Sequence, residues 1–351
     1  MLLRRSLFSG AAFGAITALS LRGLAGRDAR AAEGSEVQPG LNFYPSPQLI
    51  RAEVYTEMPD KFRRKGVASE WSAINRVGRP PVDCFIEGIT FDLQSNMYVV
   101  DVPFGRLFKI SPAKEWTQLA EWDGEPNGMA LHPNGKFYIT DYKQGLLIFD
   151  PTAGKMTTFL GRRSSERFKG LNDLTFAKNG DIYMTDQGQT GLQDPTGRVY
   201  RLRTNGQLDL LLSTGVSPNG LVLDATETVL FVSMTRDNAV WRVPLYPDGT
   251  TGKVGRFVSF YGVSGPDSLA MDEAGNLIVP HASLGSVFVV NPDGEPIARV
   301  LSPRGKTTTN VKFGGPDRKT MFITESSTGS ILSAPWTTPG RKLYAEMGGA
   351  P

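Results

Sequence analysis

Cysteine is nearly missing: Cys84 is the only one among 351 residues. A lone thiol excludes an internal disulfide and any CxxC metal or redox motif. Histidine is almost as rare. His132 and His281 are too few for a three-histidine zinc centre. Neither sign of charge dominates, with 38 Lys and Arg against 35 Asp and Glu. No basic, aromatic-interleaved patch argues for nucleic acid. Beyond the N-terminal segment, no apolar run is long enough to span a bilayer. Hydrophobic residues at 40% and charged residues at 21% are ordinary globular proportions, which exclude a disordered chain, a collagen and a coiled coil. Glycine, at 39, is somewhat high.

Residues 1–31 read as an address. Arg4-Arg5 precede a weakly apolar stretch from Leu7 to Leu21, and Ala29-Arg30-Ala31 supplies a small-x-small cleavage pattern. The paired arginines and the Gly/Ala-rich core resemble a twin-arginine export signal. The expectation is export to the periplasm, cleavage, and no stable membrane association afterwards. This segment holds five Arg and one Asp, so the formal net charge of +3 falls to about −1 without it. The export machinery is then one expected partner.

The body is one unit written about six times. A polar residue opens an apolar strand, a turn follows, and a second apolar strand ends near Thr or Asp. Asn127-Gly-Met-Ala-Leu-His-Pro-Asn-Gly-Lys-Phe-Tyr-Ile-Thr-Asp141 and Asn172-Asp-Leu-Thr-Phe-Ala-Lys-Asn-Gly-Asp-Ile-Tyr-Met-Thr-Asp186 show it most clearly. The opening residues are Glu87, Asn127, Asn172, Asn219, Asp267 and Asn310, at spacings of 40, 45, 47, 48 and 43. A third strand, such as Arg106-Leu-Phe-Lys-Ile or Ala239-Val-Trp-Arg-Val, lies in each interval. Three or four short strands every 45 residues or so predict an all-β, six-bladed β-propeller over residues 81–351. Residues 32–80 read as an N-terminal extension that supplies an outermost strand and packs across one face.

Equivalent positions on successive blades face the same axis. The six opening residues are therefore expected around one mouth of a central tunnel. Carboxylates and amides offer hard oxygen ligands, which suit Ca²⁺ and suit zinc poorly. Glu87 and Asp267 would balance a divalent charge. Turn chemistry alone explains a single Asn-Gly. It does not explain six polar residues in phase, each placed ahead of its apolar run.

These residues resemble the senescence marker protein/gluconolactonase/regucalcin family of calcium-dependent propellers. The run Ile86-Glu87-Gly88, with Asp101 and Gly105-Arg-Leu-Phe-Lys-Ile, is most similar to the bacterial drug-responsive lactonases. The resemblance implies a metal set of Glu87, Asn172, Asn219 and Asp267. It implies Asp173, of Asn172-Asp173, as a catalytic candidate beside Asp267. Asn127 and Asn172 become substrate-binding candidates. His281, which follows a strand end, joins them. Asn310 is expected to hold the last blade. Sugar-lactone members commonly place an arginine two residues before the Asn-Asp; here that position is Gly170. This departure leans toward a less polar lactone.

The implied activity is hydrolysis of a small lactone or ester, with Ca²⁺ polarising the carbonyl and Asp267 or Asp173 activating water. Zn²⁺, Mn²⁺ and Mg²⁺ stay open as substitutes. Two alternatives remain: an aryl-ester or phosphotriester hydrolase on the same site, and a non-catalytic binding propeller plugged by calcium.

Overall fold

Runs such as Val229-Leu-Phe-Val-Ser-Met234 are apolar or small along their whole length, and every residue of that run is buried. A strand covered on both faces has no solvent side to encode, so its hydrophobicity does not alternate. The computed structural model describes residues 46–348 and meets that demand by radial stacking. The signal-peptide expectation for residues 1–31, and the start of the 32–80 extension, lie outside the described residues.

Six antiparallel sheets form the body, each numbered here as a blade. Blade 1 runs Ile86–Phe91, Met97–Asp101, Arg106–Ile110 and Trp116–Glu121 from the axis outward. Blade 2 begins at Pro126–Leu131, blade 3 at Leu171–Phe176 and blade 4 at Pro218–Leu223. Blade 5 begins at Ala270–Met271 and blade 6 at Thr308–Gly314. The innermost strands abut in chain order, and that of blade 6 returns to that of blade 1, which closes the circle. The fold is a six-bladed β-propeller.

The core is six slabs, one between each pair of neighbouring blades. Met129, Ile139 and Phe149 of blade 2 meet Tyr98, Val100 and Leu107 of blade 1 in one of them. Val311, Met321 and Leu332 of blade 6 meet Ile278, Val289 and Val300 of blade 5 in another. Each fully buried side chain of this size contributes about 1.5–3 kcal/mol. Cys84 is a free, buried thiol in the slab between blades 6 and 1.

Residues 46–80 are built into the outer wall. Gln48–Arg51 adds a parallel outermost strand to blade 5. Glu53–Glu57 adds an antiparallel outermost strand to blade 6. A short helix, Glu70–Asn75, then crosses to the axial mouth. Its N-cap Ser69 accepts a hydrogen bond from the Ser72 amide. Among the described residues, no helix is long and apolar enough to cross a membrane.

Candidate metal centre and active site

In five of the six repeats the opening residue sits at an irregularity in its strand, while Asp267 precedes the short strand Ala270–Met271. The ladder register shifts between Glu87 and Thr90, Pro126 and Met129, Leu171 and Leu174, Pro218 and Leu221, and Thr308 and Asn310. A bulge of this kind re-aims a side chain. Hydroxyls on the second strand fill the broken ladder. Thr140 Oγ1 accepts from the Gly128 amide and donates to the Asn172 carbonyl of the next blade. Thr185 Oγ1 accepts from the Asp173 amide and donates to the Asn219 carbonyl. Ser326 Oγ closes the circle by donating to the Ile86 carbonyl at 2.7 Å. The Thr-Asp strand endings of the repeat are thus stitches between blades.

Glycines make the close approach possible. A Cβ on Gly88 would overlap the Asn127 carbonyl oxygen, and one on Gly128 would overlap Asp173. A Cβ on Gly220 would overlap the Asp267–Ser268 backbone. The glycine that follows the polar residue therefore lets the next inner strand reach the axis.

The result is a cavity of about 240 Å³ at one mouth of the hub, lined by Glu87, Asn127, Asn172, Asn219 and Asp267 among others. The four expected metal ligands are brought together there, and Asn127 with them. Asp173 does not line the cavity. It is buried behind the wall, where Oδ1 accepts from the Leu174 amide at 2.8 Å and Oδ2 from Ser268 Oγ at 3.3 Å. Asn310 stands beside Glu87 without lining the cavity.

His281 is not brought in. Its ring is fully buried against Phe260 and Phe288, and Nε2 lies 3.1 Å from Asn238 Oδ1. Burial pushes its imidazolium pKa down to about 4. The neighbouring Ala282 reaches the cavity wall instead.

The buried charges are unbalanced. Burial pushes the Glu87 carboxyl well above its ordinary range, and the Asp267 and Asp173 charges push it further. Burial raises Asp267 too, with Asp173 adding to it and the Asn219 amide opposing. Burial also raises Asp173, opposed chiefly by Lys312. Among the described residues, Lys312 opposes this at Asp173 and Arg236 at Asp267, and buried acids without a close counter-charge cost several kcal/mol.

Two oxygens mark where such a charge would sit. Glu87 Oε2 and Asn172 Oδ1 are buried and accept no hydrogen bond among the described residues. Asn172 Nδ2 donates to Gln187 Oε1 at 3.0 Å, and Gln187 Nε2 donates to Ser217 Oγ at 3.0 Å. That chain holds the amide with its carbonyl free. The donor set is all oxygen, with two carboxylates and two amides, and it fits a hard divalent cation. Among the described residues, no cluster of three or more His, Cys, Asp or Glu side chains is placed to hold a metal. Any centre here therefore depends on the amides.

Other wall residues were not legible in the repeat. Trp71, Asn75 and Arg76 come from the N-terminal helix, Tyr142 and Gln187 follow second strands, and Arg236 lies in the turn after blade 4's second strand. The residue just after the second strand lines the cavity in five blades, as Val102, Tyr142, Gln187, Thr235 and Ala282, but its type changes from blade to blade. Gly170, where an arginine was the family expectation, is sealed by the Tyr142 ring, which a Cβ there would overlap.

Fold and site define a six-bladed propeller with an oxygen-lined axial cavity. The chain belongs to the SMP-30/Gluconolactonase/LRE-like family, whose characteristic region matches residues 85–327. It is 30% identical over 233 residues to lactonase drp35 of Staphylococcus epidermidis, covering 62% of this chain and 70% of that protein. It is 31% identical over 219 residues to a gluconolactonase of Zymomonas mobilis, covering 57% and 60%. A calcium-binding regucalcin of Agrobacterium tumefaciens shares the fold, with a TM-score of 0.66 and 21% identity over 84% of this chain and 98% of that one.

Proposed function

We propose that the protein hydrolyses a lactone with a divalent cation, calcium foremost, held by Glu87, Asn172, Asn219 and Asp267. The observation that carries this is the meeting of these four side chains in one cavity with two orphaned acceptor oxygens. The names of the lactonase and gluconolactonase relatives support the choice of substrate. When bound, the cation supplies Lewis acidity toward a carbonyl oxygen.

The chain's own groups do the rest. Asp267 reaches the cavity and Asp173 does not, so Asp267 is the base that takes a proton from the attacking water. Water oxygen bonds to the carbonyl carbon, the ring C–O bond breaks, and the proton passes to the departing alkoxide. A hydroxy acid results. Asp173, behind the wall, raises the proton affinity of Asp267 through its charge. Asn127 and Asn172 orient the substrate through their amides. The export reading rests on Arg4-Arg5 and the segment to Ala31 and belongs to the same proposal, with the periplasm as destination.

The test is a panel of lactones, aryl esters and phosphotriesters, assayed on the signal-free protein with added Ca²⁺ and with chelator. Lactone turnover that chelator abolishes is expected. Asp267→Asn should lower kcat by at least a hundredfold. Full activity in chelator would remove the metal from the reaction, and turnover of aryl esters or phosphotriesters alone would replace the substrate class.

A further inference from the structure

Two arginines line the cavity, and beyond the pull of the Arg236 charge on Asp267 no role described so far uses them. Arg236 lies in the 3-10 turn Thr235–Asp237, and the residues around it are anchored. Thr235 Oγ1 donates to the Pro266 carbonyl at 2.8 Å. Asp237 accepts from Trp241 Nε1 at 2.7 Å and from Arg256 at 2.6 Å. Asn238 Nδ2 donates to the Gly262 carbonyl at 2.9 Å. Arg236 itself has neither an ion pair nor a hydrogen bond among the described residues, although its backbone is fixed on both sides.

Arg76 is the second. It forms the C-cap of the helix Glu70–Asn75, and among the described residues its side chain makes one hydrogen bond, to the Pro80 carbonyl at 3.4 Å. The helix is pinned over the mouth. Trp71 packs on Phe85 with ring centroids 4.6 Å apart, and Glu70 pairs with Lys143 at 3.0 Å. Lys143 also faces the buried wall residue Glu125 at 3.7 Å, so that carboxylate already has its cation. Arg76 and Arg236 are left with open forks at the rim of a concave site. A planar guanidinium fork matches a carboxylate or phosphate in two parallel hydrogen bonds.

The floor acids repel an anion while the rim cations attract one. An anionic substrate is thereby oriented, with its neutral ring at the floor and its charged group at the mouth. Trp71 and Tyr142 supply flat apolar surface to the same cavity. We propose that Arg236 and Arg76 select a lactone bearing a carboxylate or phosphate group. This rests on the lactone-hydrolase reading above, and it differs from the less polar substrate that Gly170 suggested.

The experiment compares a carboxymethyl γ-butyrolactone, its methyl ester and a phosphomethyl counterpart. Each is assayed with the wild type, Arg236→Gln, Arg76→Gln and the distant surface variant Arg242→Gln. Calorimetric binding of tetrahydrofuran-2-carboxylate, which contains no ester, runs alongside. A preference in kcat/KM of at least tenfold for a charged lactone over the ester is expected. It should fall at least fivefold in Arg236→Gln and with added salt, and survive in Arg242→Gln. The larger of the carboxylate and phosphate effects identifies the group.

Equal turnover of charged and ester lactones, unaltered in Arg236→Gln, overturns charge selection and leaves the hydrolase reading intact. Carboxylate binding that depends on Arg236 without turnover of any lactone upholds charge selection and overturns the hydrolase reading. Absence of both binding and turnover overturns both.

Discussion

A methyl group at Gly220 would overlap the Asp267 carbonyl and the Ser268 Cα, both main-chain atoms that no rotamer change can move aside. The same holds at Gly88 and Gly128 against their own neighbouring blades. Each of these glycines follows a polar residue of the cavity, so the spacing of the ligands and the closeness of the strands share one cause. Gly220→Ala is therefore expected to lower stability by about 1–3 kcal/mol through overpacking. It should also lower lactone turnover by at least tenfold, because a shift of about 1 Å at a reacting group has that scale of effect. Gly255 meets nothing within 4 Å of a built Cβ, and Gly255→Ala is the control. Urea midpoints and initial rates that match between the two variants would mean that the blades do not depend on this approach. The polar residues themselves were legible because they recur in phase. Their glycines recur too, but in sequence they read as turn formers, since the atoms they make room for lie some 40–48 residues further along the chain.

The blade is an element with its own lock. Asp101, Asp186 and Glu325 end second strands, and each carboxylate accepts an amide from the segment leading into its innermost strand: Phe85, Gly170 and Thr307 respectively. Asp101 is also paired with the buried Arg106 at 2.5 Å. Asp186 has no such partner. Among the described residues its Oδ2 accepts no hydrogen bond, and Arg198 stands 3.9 Å away. Burial pushes its pKa up to about 6, above the ordinary aspartate value of about 3.9. The folded state thus favours protonated Asp186. Its contribution is fully present below about pH 4 and is lost as pH rises through about 6, by an amount on the order of 3 kcal/mol. Asp186→Asn imitates the protonated form. It should flatten the fall of unfolding free energy between pH 4 and 6 relative to the wild type and raise stability at pH 7. Urea titrations at four pH values check this, and parallel wild-type and variant profiles would contradict it. The Thr-Asp endings were visible in the repeat. The difference between a paired and an unpaired member was not, because Arg106 and Arg198 occupy similar places in their blades and differ only in reach.

Over the whole molecule, the chain closes by two devices. One is covalently remote: strands from residues 48–57 complete blades 5 and 6, so the N-terminal segment is tied to the last third of the chain. The six-blade count followed from periodicity. These strands did not, because they stand outside the repeat, and one of them pairs in parallel. The helix Glu70–Asn75 escapes the periodic pattern for the same reason, whereas Arg236 sits in a turn that each blade has but in which the arginine does not recur; both give the cavity its individual character. The other device is the hub itself. Glu87, Asn172, Asn219 and Asp267 belong to blades 1, 3, 4 and 5, so a cation held by all four cross-links most of the circle. A ligand that binds only the folded state stabilises it by about 2.7 kcal/mol at a hundred times its dissociation constant. For a chain of this size that corresponds to roughly 4 °C in Tm. Thermal unfolding of the signal-free protein should accordingly shift upward in Ca²⁺ relative to chelator. The shift should shrink to near zero in Glu87→Gln, which keeps the shape of the side chain and removes its charge. This readout is independent of substrate and turnover, so it separates the metal from the reaction. Identical melting curves in Ca²⁺ and in chelator would leave the three buried acids with only Lys312 and Arg236 opposing them among the described residues, and would mean that the fold tolerates them by holding protons instead.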